Sequence, residues 1–149
     1  EGLGNKFLSH IREVDAIAHV VRCFEDENIT HVSSSINPIN DINTINIELK
    51  LADLETLESK QNSLEKKSKS GDKRINRQLN LVKRIINELN NETNIKNFDI
   101  PKEDIIFFNS LNLITTKPLL YICNVDEKSI GKGNNFSNSL LQRVRPYLT

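Results

Sequence analysis

Apolar residues in the middle of the chain recur with the spacing of paired helices. The stretch from Asp41 to Ser68 contains neither Gly nor Pro, and its apolar seam runs through Ile47, Leu54, Leu57 and Leu64. After the break at 70–72, a second seam runs through Ile75, Leu79, Val82, Ile86 and Leu89. Two heptad-like segments joined by a Gly-containing turn predict an antiparallel, coiled-coil-like α-helical hairpin, with helices at about 41–69 and 72–92. Helix propensity alone leaves such arms marginal, so packing at the base of the hairpin is expected to support them.

Shorter apolar runs on both sides of the hairpin predict strands. The run from His19 to Phe24 is short, β-branched and largely apolar, and it stops at the acidic turn 25–28. The run from Leu119 to Cys123 has the same character and follows Pro118. Both runs are predicted to be buried strands.

Segments beside both predicted strands carry signals of helices. Asn5 is a predicted N-cap for a first helix that ends near residues 15–18. Pro101 followed by the acids of 102–104 predicts the start of another helix. A last amphipathic helix is predicted after the turn at Gly131 and Gly133, with apolar positions at Leu140, Leu141, Val144 and Tyr147. Strands that alternate with helices predict an α/β fold with parallel strands, and since two strands make a poor sheet, we expect more of this domain outside the chain.

Composition narrows the classes of protein that fit. The 149 residues carry 20 Lys+Arg and 20 Asp+Glu, contain no Met, and begin with Glu1, so we expect a piece of a larger protein. The longest apolar run is five residues, far short of the roughly 20 needed to span a bilayer, and no leader pattern indicates secretion. The neutral total argues against a general polyanion binder, although a total can conceal a local patch.

Cysteine and histidine spacing does not indicate a metal site. Cys23 and Cys123 lie in the two apolar runs, and buried, reduced thiols are favoured over a disulfide or a metal pair. His10, His19 and His31 show no ligand spacing.

The clearest candidate for chemistry follows the second strand. Asn124 and Glu127 stand three residues apart at the carboxyl end of that strand, where ligands of open α/β sheets gather. Guanine-nucleotide proteins read their base with an Asn and an Asp at this spacing. Here the acid is one methylene longer and Val125 replaces Lys, so the pair does not suit guanine in the same way. The alternative is a polar turn, in which Asn and Asp act only as turn formers.

Several blocks of the chain carry a family resemblance in addition to the Asn-x-x-Glu end. They are residues 1–8, 11–13, 15–17, 19–26, 37–38, 41–42, 48–55, 66–67, 71–73 and 117–127. Together these blocks closely resemble the YchF group of Obg-like ATPases, which are P-loop nucleoside triphosphatases of the TRAFAC class. The resemblance covers essentially the whole chain.

The resemblance implies a protein in three parts: a GTPase-like domain, a helical hairpin inserted into it, and a C-terminal TGS domain. Residues 1–30 would be a GTPase-domain segment after the second switch, 31–100 the inserted hairpin domain, and 101–149 the return of the GTPase-like domain. Gly2, Gly4 and Asn5 would flank that switch. The phosphate loop, the magnesium-binding switches and the TGS domain would lie outside this chain.

The resemblance also implies the chemistry of the complete protein. It would bind ATP with Mg²⁺ in preference to GTP, associate with the ribosome and reside in the cytoplasm. Asn124 would contact adenine, the backbone at Val125 would fix the edge of the base, and Glu127 would complete the site. Phe24 would pack near the base or simply belong to the core. No catalytic residue falls in this chain, so alone it is expected neither to hydrolyse ATP nor to hold ATP or Mg²⁺ tightly.

The distal half of the hairpin is strongly basic. Residues 60–84 carry nine basic and two acidic side chains, whereas residues 41–58 carry five acids and one Lys. The cations nearest the turn are Lys66, Lys67, Lys69, Lys73, Arg74 and Arg77. A solvated helical face and an arm that contacts RNA phosphates both explain this pattern.

Two classes of function therefore remain open. The first is part of a ribosome-associated ATPase, and the alternative is a non-enzymatic helical-hairpin adaptor that binds RNA or protein. An upstream phosphate loop would decide for the ATPase. The sequence leaves the oligomeric state open.

Overall fold

The computed structural model describes residues 4–25, 36–91 and 98–144, and it has the predicted mixture of helices and parallel strands. In chain order, the helices and strands are α1 (Asn5–Glu13), β1 (Ile17–Arg22), α2 (Pro38–Ser68), α3 (Lys73–Asn90), α4 (Ile105–Ser110), β2 (Leu119–Asn124) and α5 (Asn135–Val144). Short 3₁₀ turns cover Lys102–Asp104, Ile114–Thr116 and Glu127–Ser129. Within the described ranges, no helix is both long and apolar enough to cross a membrane.

The chain divides into two compact units that do not follow sequence order. The first unit contains residues 1–15 and 47–117, and the second contains 16–46 and 118–149. Residues 98–117 group with the hairpin because their apolar side chains pack against its helices. The three-part organisation at 1–30, 31–100 and 101–149 stays a prediction.

The first unit is built on the hairpin. Helix α2 has 31 residues, about 46 Å at 1.5 Å per residue. Asp72 caps α3 by accepting hydrogen bonds from the backbone N–H groups of Arg74 (2.7 Å) and Ile75 (3.3 Å). The core comprises Leu57, Leu64, Leu79, Leu81, Val82, Ile85, Leu89, Leu111 and Leu113. Phe98, Ile100, Phe107 and Phe108 pack against it, which is the support from the base that the sequence predicts.

The predicted hairpin seams are partly wrong. Ile47 is 56% exposed, although the 7-3-7 spacing assigns it to the seam. Leu81 and Ile85 are buried outside the predicted seam. The second face of α3 is covered because the segment after the hairpin adds Leu111 and Leu113 to the same core, so α3 is buried over a wider arc than a two-helix seam requires.

A buried carboxylate joins three segments of the first unit. Asp53 of α2 is fully buried and accepts hydrogen bonds from Arg12 of α1 (3.0 Å) and from the backbone N–H groups of Ile114 (2.9 Å) and Thr115 (2.8 Å). The Thr115 hydroxyl donates a further bond of 2.8 Å. Arg12 also donates to the Ala52 carbonyl at 2.8 Å. Every oxygen of this buried acid is therefore hydrogen-bonded.

The side chains of Lys117 and Asn112 hold the C-terminal end of α1 by hydrogen bonds. The Lys117 ammonium donates to the carbonyls of Arg12 (2.9 Å) and Val14 (2.6 Å). Asn112, at φ +51°, donates its side-chain N–H to the Arg12 carbonyl at 2.9 Å. A cation at this end suits the negative end of the helix dipole.

The start of α1 differs from the predicted cap. The Gly4 carbonyl accepts hydrogen bonds from Phe7 N–H (2.9 Å) and Leu8 N–H (3.1 Å), so Gly4 occupies the cap position and Asn5 is the first helical residue. The helix ends at Glu13, slightly before the predicted end.

The second unit contains a two-stranded parallel sheet. Strand β1 pairs with β2 in a register that places Ile17 opposite Leu119 and Arg22 opposite Asn124. One face packs against a core of Val21, Cys23, Ile42 and Leu140. On the other face Val20 and Leu120 are 60% and 63% exposed. The predicted burial of both strands is therefore wrong, because only one face is covered by described residues.

Of the two cysteines predicted to be buried thiols, Cys23 is buried as expected and Cys123 is less buried than expected. Cys23 is fully buried and Cys123 is half-buried, and both are free. Burial raises the pKa of the Cys23 thiol to about 12, with further contributions from Cys123 and Asp41. A thiol with so high a pKa is a poor nucleophile at neutral pH.

His19 is a partly buried residue of β1. Its pKa lies below the usual 6.5 because burial outweighs the attraction of Asp41, and its Nδ1 has no hydrogen-bond partner in the described part of the chain. The ring lies 5.7 Å from that of Tyr121.

We expect the free energy of unfolding to fall as the pH drops from about 7.5 to about 5.5, since the unfolded state takes up the His19 proton first. The stabilising contribution of neutral His19 is fully present at pH values above the pKa of the unfolded state. It is lost as the pH falls through the lower pKa of the folded state. Urea unfolding across this range measures the effect. His19→Gln should reduce the slope, whereas His10→Gln, at an exposed position, should not. Equal slopes for the two variants would contradict the prediction.

Candidate functional site

The parallel register brings the carboxyl ends of both strands to the same edge. Arg22 lies opposite Asn124, and the Cys23 N–H donates to the Asn124 carbonyl at 2.7 Å. Residues that follow each strand are therefore neighbours, as expected for a site at a strand end. Asn124 itself is exposed, and Val125 packs against the core of the second unit.

Asp126 shapes the loop that follows β2. Its carboxylate accepts hydrogen bonds from the Ser129 N–H and hydroxyl, both at 2.9 Å, and so caps the 3₁₀ turn Glu127–Ser129. The Ser129 hydroxyl is the main reason that the pKa of Asp126 lies below its usual range, and the side chain of Asn134 contributes too. Asp126 thus has the turn-forming role that the sequence offered as the alternative, while Glu127 remains exposed.

The entry to α5 completes this edge. Asn134 caps α5 by a reciprocal pair of bonds: its Oδ1 accepts from Ser137 N–H at 3.0 Å, and its own N–H donates to Ser137 Oγ at 2.8 Å. Its Nδ2 donates to the Cys23 carbonyl at 2.7 Å. Gly133 has φ +72°, and a Cβ there would lie 2.9 Å from Ser137 Oγ, so this turn favours glycine.

The end of β1, the loop after β2 and the start of α5 line an open cleft of about 710 Å³ within the second unit. Its lining residues are Phe24, Glu25, Asp126, Glu127, Lys128, Asn134, Asn135 and Phe136. Of the predicted site residues, Phe24 and Glu127 line the cleft, whereas Asn124 and Val125 lie beside it in the strand end. Phe24 is half-buried, and the Arg22 guanidinium stacks on its ring at 4.9 Å from the centroid.

Five residues of the cleft wall are not indicated by the sequence: Glu25, Lys128, Asn134, Asn135 and Phe136. The available indication was the Gly133-Asn134 turn followed three residues later by Ser137, a spacing typical of a capped helix start. Phe136 contacts the core as well as the cleft, so its apolar character alone did not distinguish it.

The donor set of the cleft suits a flat base better than a metal ion. Phe24 and Phe136 supply aromatic surface, and Glu127 supplies a carboxylate able to accept from an exocyclic amine. Across the described segments, no group of three or more His, Cys, Asp or Glu side chains is arranged to hold a metal.

The basic side chains of the hairpin fall into two sets. Four of them contact other side chains. Arg77 forms ion pairs with Glu103 (3.1 Å) and buried Asp104 (2.9 Å), and Lys83 forms one with Glu65 (2.9 Å). Lys60 lies over the ring of Phe107, and Arg84 lies over the ring of Phe98. The other five are exposed and form no ion pair with any residue that the structure describes: Lys66, Lys67, Lys69, Lys73 and Arg74. In the described structure, the hairpin cations that make neither an ion pair nor a ring contact therefore all lie within residues 66–74, around the turn.

The predicted flank of the second switch is only partly visible. Gly4 occupies the cap position of α1, and Gly2 lies outside the described residues. His31 and Tyr147 lie outside them too.

Parallel strands, an open cleft at their carboxyl edge and a long helical hairpin define part of an α/β domain with a helical insert. No family model matches the chain. Individual relatives do: the ribosome-binding ATPase YchF of Pasteurella multocida (strain Pm70) is 46% identical over 145 residues, 97% of this chain. The corresponding protein of Bacillus subtilis (strain 168) is 42% identical over 99% of the chain, and the Obg-like ATPase 1 of Oryza sativa subsp. indica is 40% identical over 91%.

The chain belongs to the YchF family of Obg-like ATPases, and the fold agrees. The structure of the Schizosaccharomyces pombe YchF GTPase matches 97% of this chain with a TM-score of 0.83 and 31% identity. The chain spans about two fifths of the length of these relatives: 39% of the Pasteurella protein, 40% of the Bacillus protein and 40% of the Schizosaccharomyces chain.

Proposed function

We propose that this chain supplies base recognition and the helical insert to a ribosome-associated P-loop NTPase that hydrolyses ATP and, less well, GTP. The observation that carries the proposal is the cleft at the carboxyl edge of β1 and β2, in which Glu127 and Phe24 come together beside Asn124. The names of the relatives support an ATPase that binds ribosomes, and a ribosomal partner supports a cytoplasmic location.

In this proposal each residue of the strand end has one task. The exposed Asn124 amide bonds the purine edge, and the backbone at Val125 fixes the register of the base. The Glu127 carboxylate accepts from the exocyclic amine of adenine, while Phe24 offers its ring to the base. Bound ATP and Mg²⁺ would supply the reacting phosphoryl group and the charge that stabilises its transfer.

The phosphate machinery is proposed to come from the rest of the complete protein. No Gly-x-x-x-x-Gly-Lys-Ser/Thr pattern occurs in these 149 residues. The chain by itself is therefore proposed to be inactive, and none of its residues is assigned a catalytic role.

Shortening the acid tests base recognition in the complete protein. Glu127→Asp recreates the acid of guanine-binding proteins, so we expect the ratio of ATP to GTP affinity to fall by about tenfold, the size of one charge-assisted hydrogen bond. Glu25→Asp makes the same chemical change on the same cleft and should leave the ratio unchanged. Titration with both nucleotides gives the ratio directly.

The proposal fails if neither Asn124→Ala nor Glu127→Asp alters nucleotide binding. Magnesium-dependent turnover by the isolated 149-residue chain would contradict its proposed inactivity. Ribosome binding without any nucleotide binding would favour the non-enzymatic adaptor.

We further propose that the hairpin turn contacts ribosomal RNA phosphates. The supporting observation is the confinement of the five unpaired cations to residues 66–74. No aromatic residue lies among them, so stacking on single-stranded bases is not part of the proposed contact.

A further inference from the structure

We propose that Arg22 is a positioning residue for nucleotide binding: it holds both the backbone and the ring of Phe24, so that the ring is fixed in the cleft wall and ready to stack on a base. The inference rests on the proposed function, since Phe24 is the residue proposed to offer its ring to the base. It goes further because Arg22 is not among the residues that line the cleft.

Phe24 follows the end of β1, beyond the residues that pair with β2. Strand β1 ends at Arg22, two residues before Phe24. Among the described residues, the last hydrogen bond from this strand to β2 is the one that Cys23 N–H donates to the Asn124 carbonyl (2.7 Å). Phe24 is half-buried and lines the open cleft. Its orientation therefore depends on contacts other than the pairing of the strands.

The Arg22 side chain contacts Phe24 at two points. Its Nε donates a hydrogen bond to the Phe24 carbonyl at 3.1 Å. Its guanidinium carbon lies over the Phe24 ring, 4.9 Å from the centroid, where the charge is attracted to the face of the ring. A guanidinium over one face of the ring leaves the opposite face for a base.

These two contacts together require an arginine. Lysine has the charge but neither a donor at the Nε position nor a planar group, and glutamine has a planar amide without the charge. A ring held before the nucleotide arrives loses less conformational freedom on binding, so affinity rises. Stacking uses a π-face that every base has. Arg22 is therefore expected to act on ATP and GTP alike, unlike Glu127, whose carboxylate is proposed to read the base.

A matched pair of substitutions tests the inference in the complete protein. Arg84 also lies over a phenylalanine ring, that of Phe98, at the same 4.9 Å, but it belongs to the first unit and is not part of the cleft lining. Arg22→Gln and Arg84→Gln each remove one positive charge and one cation–ring contact. We expect Arg22→Gln to weaken the binding of ATP and of GTP by about fivefold each, and Arg84→Gln to leave both within about twofold. Titration with each nucleotide measures these affinities.

A double-mutant cycle shows whether Arg22 acts through the ring of Phe24. Phe24→Leu removes the stacking surface and is expected to weaken nucleotide binding by about tenfold. Adding Arg22→Gln to Phe24→Leu should then cause less than about twofold further loss, because the group that Arg22 positions is already gone.

Arg22→Lys separates the holding of the ring from the effect of charge on the anionic nucleotide. It retains the charge but lacks the Nε donor and the planar group, so we expect a loss of affinity of about threefold. If Arg22→Gln does not fold, Arg22→Lys takes its place in the cycle.

Each outcome decides the inference. A loss at Arg22 but not at Arg84, with an unchanged ratio of ATP to GTP affinity and little further loss in the Phe24→Leu background, supports it. Unchanged affinity in Arg22→Gln or Arg22→Lys, equal losses at the two arginines, or the full loss in the Phe24→Leu background would overturn it. Unaltered nucleotide binding by Phe24→Leu would overturn it too, whereas the proposed base site is judged separately by the substitutions of Asn124 and Glu127.

Discussion

Replacing Asp53 with alanine is expected to destabilise the hairpin unit by about 3–5 kcal/mol, the cost of removing one partner from a buried, hydrogen-bonded ion pair. Asp53 is completely buried, and its two oxygens accept four hydrogen bonds, from Arg12, Ile114 and Thr115. The substitution leaves the buried N–H of Ile114 without its acceptor and the Arg12 guanidinium, whose side chain is 22% exposed, without its counter-charge. Unsatisfied buried groups of this kind carry their full desolvation cost.

Two companion variants show whether the charge and the hydrogen bonds are responsible. Glu55→Ala removes an exposed acid two residues along the same helix, so it should change stability by less than about 0.5 kcal/mol. Asp53→Asn keeps the shape but turns a donor toward backbone N–H groups, and it should fall between the two. Urea unfolding measures the difference, and hydrogen exchange at the amides of Ile114 and Thr115 locates it. Similar values for Asp53→Ala and Glu55→Ala would contradict the prediction.

Asp53 is a residue whose structural role the sequence does not reveal. Heptad spacing predicts the two long helices because the period follows from helix geometry alone, and five positions of its seams are buried: Leu57, Leu64, Leu79, Val82 and Leu89. It assigns no role to a polar residue between Ala52 and Leu54, since the partners of Asp53 lie 41 and 61 residues away in the chain. The buried Ile85 lies outside the predicted seam for the same reason, since its core also contains Leu111 and Leu113 from a segment distant in sequence.

The residues of the candidate site also fall into those that the sequence indicates and those that it does not. Asn124 and Glu127 could be proposed as candidates because a local pattern at a strand end carries chemical meaning, and the parallel pairing brings Phe24 to the same edge. Asn134 and Phe136 could not be identified, since their approach depends on the turn at Gly133 and on the course of α5. The alternation of burial in β1 and β2 was also missed, because the predicted burial assumed cover on both faces of the sheet.

Reversing Lys66, Lys67, Lys73 and Arg74 to glutamate in the complete protein is expected to weaken ribosome binding by at least about a hundredfold at moderate salt. These cations are exposed and lack acidic partners in the described structure, so their charge is available to phosphates. Removing one cation from a phosphate should reduce the slope of log affinity against log salt by about 0.9, so removing all four should reduce it by roughly 3–4. Binding measured between about 0.05 and about 0.3 M salt yields both quantities.

The control must reproduce the charge change without touching the hairpin turn. Lys6, Lys102, Lys132 and Arg143 are also three lysines and one arginine, all exposed, and all lie outside residues 60–84. Reversing them alters the net charge equally, so any general effect of charge on encounter with an anionic ribosome is the same for both quadruple variants. A local interaction with phosphates predicts a much larger loss of affinity, and a shallower salt slope, for the hairpin variant alone. Equal losses of affinity in the two variants would mean that the cations of residues 66–74 act only through overall charge. An unchanged affinity in both variants would mean that these cations form only a solvated surface of the hairpin.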